Sequence, residues 1–425
     1  MLSRIARSNP AKAYIRNLWT HRTASRPELA QAVTESVANL PKKPIDICVA
    51  LVSQSFPAND LLKLNTEFLK HISPKIFIGA VVDRVPSPQS GGHGLSVLIG
   101  QEEDATGFVL DDTADRKKFK SVSVGRWGKV QDFNRFKYEE NDIEKFGWDA
   151  FKSVSTNVHG HELLPQLQNL RQTPKFAWIL SDHEPYQLIE TLDHHFPQAT
   201  KAGLIGASTP FITGTPYTMF YNDKVLPGGS IGFVSSTVPK VSSSVQHKAL
   251  EALGSPMTVT RCRGNIILDL DETSATGLLL NLLNKGHNAK ISKDKEFYLG
   301  ACTEDADNNV QLTSVHRVTS GDPSKGNMSI DTTKDFQVGQ KVQFLHRVDI
   351  TAKTDSEQSS DEQIVCTVAE KDTTYVGNSS LRPDVNATIP NVFGGSSENG
   401  VLVGQADQTT YVLDAPHSEY TVKIQ

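Results

Sequence analysis

The sequence predicts an α/β protein in the broad α+β sense, with a sandwich-like N-terminal domain and a smaller mixed C-terminal domain. Two segments of the first half repeat one order of elements, namely strand, helix, strand and strand. The second half has short polar strands and one clear helix. At 425 residues the chain is also too long for a single ordinary core. We therefore expect a duplicated α/β unit followed by a second domain.

The first copy of the unit begins with an apolar strand over residues 45–52. Apolar side chains at helical spacing then predict an amphipathic helix over 61–69. A second strand is predicted to end at Ile78-Gly79-Ala80, and Gly91-Gly92 leads into a third strand over 95–99. This order defines the unit that the second segment repeats.

The second copy has its strand at 176–180 and its helical face at 186–196. Ile205-Gly206-Ala207 follows, and Gly228-Gly229 opens the last strand. A hairpin whose first strand is at 218–221 and which turns at Asn222 and Asp223 is inserted before that strand. We expect the helices of both copies to pack on a sheet that the copies share or stack.

A loop-rich insertion over 116–141 separates the two copies and mixes basic with aromatic residues. Such a mixture is found at polyanion-binding surfaces, but the formal net charge of the whole chain is −5. We therefore interpret the insertion as a solvated loop and do not expect nucleic acid as a partner.

The second domain is predicted to open after a polar boundary at 241–246. Its first strand is expected at 257–261 and its helix at 274–283, followed by polar strands and turns. The four cysteines are far apart and show no CxxC spacing, so we expect free, mostly buried thiols (Cys48, Cys262, Cys302 and Cys366).

The N-terminus differs in composition from the rest of the chain. Its first 26 residues contain six basic residues, and the first acidic residue is Glu28. An arginine-rich, acid-free segment with a potential apolar helical face is typical of a mitochondrial transit peptide, the alternative being a disordered basic tail. We assign residues 1–26 to the transit peptide, 43–240 to the first domain and 247–425 to the second. We expect cleavage at residues 22–25 and a location in the mitochondrial matrix. No apolar run reaches the ~20 residues of a membrane span.

Four stretches of the second half form an ordered set of motifs. They are Ser-Pro-Met-Thr-Val-Thr-Arg at 255–261, Gly-Asn-Ile-Ile-Leu-Asp-Leu-Asp at 264–271, His-Arg-Val-Thr-Ser-Gly-Asp-Pro at 316–323 and Gly-Gln-Lys-Val-Gln-Phe-Leu-His-Arg at 339–347. In this order and spacing they resemble the C-terminal half of the FIST domain. Phe196-Pro197, Ile205-Gly206-Ala207, Phe220-Tyr221-Asn222-Asp223 and Gly228-Gly229-Ser230-Ile231-Gly232 are similar to the N-terminal half. The resemblance implies an intracellular sensor without a known chemistry.

Two loops depart from the family pattern. Residues 354–365 are acidic and lack a Gly-Arg-Gly-like motif, and 393–400 only partly match the closing Phe-x-x-Gly-Glu-Ile-Gly segment. If these loops line a ligand site in relatives, we expect either a different ligand here or the loss of that site. We find no counterpart of the F-box that accompanies the domain in one mammalian relative, so a ubiquitin-ligase role does not carry over.

A ligand site is predicted at the seam between the copies. Glycines at strand ends permit close backbone approach, and two arginines of the second domain offer charge for an anion. The ligand expected there is a small anionic or zwitterionic metabolite such as an amino acid, and a protein partner is the other possibility for a sensor or scaffold. Neither a cofactor nor catalysis is expected. The predicted site residues are Gly79, Gly206, Gly228, Gly229, Arg317 and Arg347.

The alternative function is a Mg²⁺-dependent phosphatase of the haloacid-dehalogenase type, built on Asp269 and Asp271. An apolar strand followed by Asp-x-Asp-x-Thr is typical of its nucleophile and its general acid. The β-α repeats that would carry the other catalytic groups are missing downstream, so Asp271 or Thr273 is instead expected to cap the following helix. Histidines at 159–161, 183 and 194–195 match no metal-site spacing, and we predict no metal there.

Overall fold

The structure is a computed structural model. It describes residues 19–38, 40, 44–87, 92–102, 104–110, 162–238, 240–284, 296–304, 310–332, 334–349, 362–370 and 386–424. The predicted insertion at 116–141 and the histidines at 159–161 lie outside these residues. Within them, no helix has the length and apolar character needed to cross a bilayer.

The described residues form five α-helices and 24 β-strands. The helices are α1 Leu29–Ser36, α2 Ala58–Leu61, α3 Leu64–Leu69, α4 Tyr186–His195 and α5 Ala275–Leu283. The strands of the first half are β1 Trp19–Ser25, β2 Ile47–Ser53, β3 Ile76–Val82, β4 Leu95–Gly100, β5 Thr106–Leu110, β6 Phe176–Ser181, β7 Thr200–Ile205, β8 Met219–Tyr221, β9 Lys224–Leu226, β10 Ser230–Ser235 and β11 Val241–His247. Those of the second half are β12 Leu250–Arg263, β13 Ile266–Leu270, β14 Thr273–Ser274, β15 Phe297–Glu304, β16 Val310–Gly321, β17 Met328–Ile330, β18 Lys341–Arg347, β19 Gln363–Val368, β20 Ala387–Pro390, β21 Val392–Ser397, β22 Val401–Gly404, β23 Tyr411–Leu413 and β24 Ser418–Ile424.

The predicted duplication is confirmed by the strand topology. In the first copy β2 pairs parallel with β3 and antiparallel with β4. In the second copy β6 pairs parallel with β7 and antiparallel with β10. Each copy thus builds the centre of its own sheet, in the orders β20-β1-β4-β2-β3-β8-β9 and β23-β22-β7-β6-β10-β5.

The two sheets stack face to face, with the helices on the outer faces. Alternate residues of β2 and β3, such as Val49 and Ile78, share one core with Trp178 and Phe233 of the second sheet. The intervening residues face outward, where Phe68 of α3 packs on the first sheet in one outer core. The α4 residues Leu188, Ile189 and Leu192 cover the second sheet in another outer core. The period of two along each strand therefore yields a four-layer sandwich.

The hairpin β8–β9 confirms its predicted turn, because Asn222 has a positive φ of 53° between the two strands. Its position in the sandwich was not predicted. Although the hairpin follows β7 of the second copy, β8 pairs with β3 of the first. It thereby ties the two sheets together.

The second half of the chain contains a closed antiparallel barrel. Its strands follow the order β12-β18-β15-β16-β17-β13, and pairing of β12 with β13 closes the ring. Helix α5 packs Ala275, Leu279 and Leu283 into the same core as Phe344 of β18. Between barrel and sandwich lies a four-stranded sheet in the order β11-β24-β19-β21.

Strands from the C-terminal part of the chain complete the sandwich. Strand β20 extends the first sheet, while β22 and β23 extend the second. The residues that were expected to mark a boundary form strand β11, which pairs with the C-terminal strand β24. The predicted boundary thus falls on a strand, because a polar edge strand with alternating burial resembles a linker in the sequence.

Strand β1 occupies part of the segment that was assigned to a transit peptide. It pairs with β4 on one side and with β20 on the other, and the Trp19 ring stacks on Phe233 of the opposite sheet at a centroid distance of 5.7 Å. Cleavage at 22–25 would cut through this strand. The expected cleavage position therefore conflicts with the fold, because the basic segment carries core residues at its end.

Two local predictions also need correction. Helix α5 is capped by Ser274, whose hydroxyl accepts from the Gly277 N–H at 3.1 Å, and not by Asp271 or Thr273. Gly79 lies within β3, since the strand continues to Val82. The sequence of a short apolar strand does not show which residue is its last, which explains why the predicted end of β3 was too early.

Candidate ligand-binding cleft

The predicted glycines separate into two environments. Gly206 and Gly229 lie near the end of β6, where the Gly206 N–H donates to the Ser181 carbonyl and the Gly229 N–H donates to the Asp182 carboxylate, both at 2.8 Å. Gly228 precedes Gly229 and is also buried. Gly79 is packed inside its sheet, and a Cβ at this position would lie only 3.0 Å from the Ala50 carbonyl oxygen.

The two predicted arginines meet at one carboxylate. Arg317 on β16 contacts Glu296 at 2.6 Å and Arg347 on β18 contacts it at 3.7 Å. Arg347 also pairs with Glu370, and this bond holds the pKa of the Glu370 carboxyl below its usual range. Both arginines thus form ion pairs within the protein, which is the structural alternative to binding an anionic ligand. The seam site built from glycines and arginines stays a prediction.

A polar cavity lies elsewhere, in a cleft with a volume of about 370 Å³. One side is formed by the barrel, through β15, β16 and the segment after β17. The other side is the turn between β22 and β23, which belongs to the sandwich. The cleft therefore lies between the two halves of the protein. Its lining is Ala301, Thr303, Thr313, Ser314, His316, Thr332, Lys334, Asp335, Phe336, Gln340, Asp407, Gln408, Thr409, Thr410 and Tyr411.

His316 forms the buried end of the cleft. Its ring packs edge-on against Tyr411 and Phe336, with centroid distances of 5.5 and 6.5 Å, and its Nε2 lies 3.0 Å from Ser314 Oγ. Burial lowers the pKa of His316 to about 4, and the charge of Lys334 acts in the same direction. The imidazole is therefore neutral at physiological pH and offers one donor and one acceptor.

Opposite charges lie at the open side of the cleft. Lys334 and Asp335 are adjacent in the chain and both are exposed. The Lys334 ammonium donates to Thr409 Oγ1 at 2.8 Å and so bridges the barrel to the β22–β23 turn. A cation, an anion and several hydroxyls around a neutral imidazole suit a small polar molecule that carries both charges.

The wall of the cleft on the sandwich side is firmly anchored. Asp193 of α4 accepts from the Thr410 N–H at 2.7 Å and from its hydroxyl at 2.6 Å. The same carboxylate lies 3.0 Å from the ammonium of Lys201, which is fully buried and donates also to the Phe196 and Ala199 carbonyls. A buried lysine with three acceptors is well compensated, so this network holds Thr410 in place.

Sequence reasoning missed most of this cleft. His316 begins one of the motifs quoted above but was not proposed as a site residue. The other residues of the cleft lie in polar turns without periodicity, namely Lys334, Asp335 and Thr410. They come together only because the two halves of the protein contact each other. Their one visible signal is the Lys-Asp pair just before the apolar Phe336.

The two aspartates of the phosphatase alternative are engaged in contacts within the fold. Asp269 pairs with the Arg261 guanidinium at 2.7 Å, and Asp271 Oδ1 accepts from the Thr258 N–H at 2.9 Å. Asp271 and Glu272 both have positive φ, 45° and 60°, in the tight turn between β13 and β14. The two aspartates therefore stabilise an antiparallel hairpin. Among the described residues, no group of three or more His, Cys, Asp or Glu side chains is arranged to hold a metal ion.

Comparison with known families gives one match. Residues 98–273 match the FIST N domain. The match begins in β4 of the first copy, contains the whole second copy and ends in the first hairpin of the barrel. The domains of this family are assigned to small-ligand sensing in signal transduction. No curated protein and no solved structure matches the chain.

Proposed function

We propose that this protein is a small-ligand sensor of the FIST type and that it binds an anionic or zwitterionic metabolite, such as an amino acid, in the cleft between barrel and sandwich. The observation that carries the proposal is that Lys334 and Asp335, which carry opposite charges, both line the cleft beside the buried, neutral His316. The cleft volume of about 370 Å³ lies within the range of about 300–1,000 Å³ that is usual for small-molecule sites. The match of residues 98–273 to the FIST N domain supports a sensing role.

The charges suggest how such a ligand would lie. A ligand carboxylate would replace Thr409 as the partner of the Lys334 ammonium, and a ligand ammonium would pair with Asp335. Hydroxyls of Thr313, Ser314 and Thr410 line the same space. Because the Lys334–Thr409 bond spans the cleft, its replacement would alter the contact between barrel and sandwich, which gives the sensor a way to report occupancy.

A thermal-shift screen of amino acids and small carboxylates tests this proposal. A true ligand at a hundredfold excess over Kd stabilises the fold by about 2.7 kcal/mol. Lys334→Met and Asp335→Asn should each weaken binding at least about tenfold, since each removes a charge-assisted hydrogen bond. Lys248→Met is the matched control, because Lys248 is an exposed lysine that pairs with Glu419 at 2.8 Å outside the cleft.

The screen also separates the cleft from the seam. If Arg317→Ala with Arg347→Ala abolishes binding while Lys334→Met does not, the ligand occupies the site predicted from the sequence. A wild-type protein that no amino acid or carboxylate stabilises would contradict the sensor function at either place.

A protein-interaction scaffold is the second candidate function, and Phe211 favours it. Its side chain is 96% exposed. The loop that carries it is held by hydroxyl contacts of Thr218 with Thr209 at 2.8 Å and with Thr213 at 2.6 Å. An aromatic side chain on a rigid, uncharged loop is typical of an interface anchor. Phe211→Ser should then leave the melting temperature unchanged and abolish co-purification of a partner.

We also propose import into the mitochondrial matrix, with processing upstream of Trp19. The arginine-rich composition before Glu28 supports import, and the pairing of β1 with β4 and β20 supports retention of Trp19–Ser25. A fusion of residues 1–35 to a fluorescent protein should enter mitochondria. Mass spectrometry of the imported full chain should give an N-terminus at or before Trp19, and diffuse cytosolic fluorescence would exclude the import proposal.

A further inference from the structure

Three segments meet at the carboxyl end of β2, away from the cleft. They are the residues that end β1, the turn that follows β2, and the residues that precede β4. His93 Nε2 lies 2.9 Å from the Arg26 carbonyl oxygen, and His93 Nδ1 lies 2.6 Å from Ser55 Oγ. Ser55 Oγ is in turn 2.6 Å from Ser53 Oγ, which accepts from the Gly94 N–H at 3.2 Å.

The hydrogen positions in this chain of contacts follow from its two ends. A carbonyl oxygen only accepts, so in its neutral form the His93 ring carries its proton on Nε2 and donates to Arg26. The Nδ1 atom is then an acceptor, and the Ser55 hydroxyl donates to it. Because the single Ser55 proton is committed to His93, the Ser53 hydroxyl must donate to Ser55. The direction of every bond is thereby fixed.

This arrangement prepares Ser55 for nucleophilic attack. Its proton lies on a hydrogen bond to an imidazole that a third group orients, which is the logic of an activated serine. The oxygen keeps one lone pair beyond the bond that it accepts from Ser53. Ser55 is half-buried, whereas His93 is buried beneath the Phe56 ring at a centroid distance of 4.2 Å.

The position in the fold is also one where α/β proteins place their chemistry. Strands β2 and β3 are parallel, and ligands of such sheets bind outside the carboxyl ends of the strands. Asp83 follows β3 and its carboxyl accepts from the Gln54 side chain at 2.8 Å, one residue before Ser55. In its ionised form this neighbouring carboxyl disfavours a second negative charge, so an uncharged carbonyl compound suits Ser55 better than a phosphoester.

We propose that Ser55 is a nucleophile, with His93 as its general base, and that it is acylated by small uncharged carboxylic esters. Ser55 Oγ forms a bond to the ester carbonyl carbon while its proton moves to His93 Nδ1. The bond from that carbon to the alcohol oxygen then breaks, and the alcohol leaves with the proton from Nδ1. Water hydrolyses the acyl-serine by the same route and regenerates the hydroxyl.

A fluorophosphonate probe on the full-length protein tests the nucleophile. Attack by Ser55 Oγ forms a phosphorus–oxygen bond and expels fluoride, while the serine proton moves to His93. The wild type should gain one adduct, mapped by peptide mass spectrometry to Ser55, and Ser55→Ala should gain none. Ser208→Ala is the matched control, since Ser208 is an exposed serine of a loop outside this cluster, and it should be labelled like the wild type.

His93→Gln separates catalysis from a structural role. It removes the base and should slow labelling about 100-fold. If this variant fails to fold, p-nitrophenyl acetate replaces the comparison: the wild type should release a burst of one p-nitrophenolate per chain, which Ser55→Ala lacks. A wild type that is neither labelled at Ser55 nor shows the burst overturns the proposal, and so does equal labelling of Ser55→Ala.

Discussion

The two copies of the duplicated unit share a topology but differ at the carboxyl ends of their strands. In the first copy Gln54 follows β2 and Asp83 follows β3, and the two side chains bond to each other at 2.8 Å. In the second copy the equivalent positions are Asp182 after β6 and Gly206 after β7. The duplication thus preserved the buried strands, while the residues just beyond them diverged.

The difference reflects what each position must satisfy. Strand residues face a core on both sides, so only apolar side chains of suitable volume fit. Residues beyond the last strand pair have no such constraint. Asp182 is used to hold Gly229 before β10, whereas Asp83 accepts from the Glu398 N–H at 2.7 Å and fixes the turn between β21 and β22. The same place in the fold therefore joins different elements.

The largest expected effect tests the packing of the parallel strands. A Cβ on Gly203 of β7 would lie 1.9 Å from the Ile179 carbonyl oxygen, whereas one on Gly79 of β3 would lie 3.0 Å from the Ala50 oxygen. Gly203→Ala should destabilise the protein by about 4 kcal/mol or more and Gly79→Ala by about 1 kcal/mol, since only the first forces the backbones apart. Urea unfolding measures both. Equal losses would show that the two strand pairs are equally close.

The next largest effect concerns the ion pair between Asp193 and Lys201, which belongs to the second copy. Asp193 on α4 compensates the buried Lys201 and holds Thr410 at the cleft. Asp193→Ala should cost about 3 kcal/mol, because it leaves a buried charge with carbonyl partners alone. Asp193→Ala with Lys201→Met should recover part of this loss in the same unfolding assay. If the double variant is no more stable than Asp193→Ala, Asp193 does not stabilise the protein through its ion pair with Lys201.

The smallest effect is a pH dependence that belongs to the first copy. Burial raises the pKa of Asp83 to about 7, and the charge of Glu398 contributes in the same direction. The folded protein therefore binds the proton more tightly than the unfolded chain, whose Asp has a pKa of about 3.9. The stabilisation by this proton is lost as the pH rises through the folded-state pKa of about 7. The expected loss is about 2 kcal/mol between pH 5 and 8.

Asp83→Asn removes this titration, so its free energy of unfolding should fall less with rising pH than that of the wild type. Glu398→Gln should lower the midpoint, because it removes a neighbouring negative charge. Parallel slopes for the wild type and Asp83→Asn would mean that Asp83 does not titrate in this range. The buried carboxyl would then differ from Asp182 only in its partners.

The sequence by itself determined the repeated unit, the buried strands and the hairpin turn. Strands such as Ile47–Ser53 are apolar throughout because both faces are covered, and Asn222 marks a turn because it tolerates positive φ. These features depend on neighbours in the chain, so periodicity and turn chemistry reveal them. The basic N-terminus also has a clear composition, but composition could not show that Trp19–Ser25 is a strand of the sandwich.

Tertiary structure alone decided where the candidate sites lie. His316, Lys334 and Thr410 come together only because β22 and β23 return to the second sheet and bring their turn against the barrel. Arg26, Ser55 and His93 meet only because β1, β2 and β4 are neighbours in the first sheet. Such contacts join residues tens to hundreds of positions apart, and the individual polar side chains carry no periodic signal. The strand order, which long-range pairing sets, is the physical reason that the sequence did not reveal them.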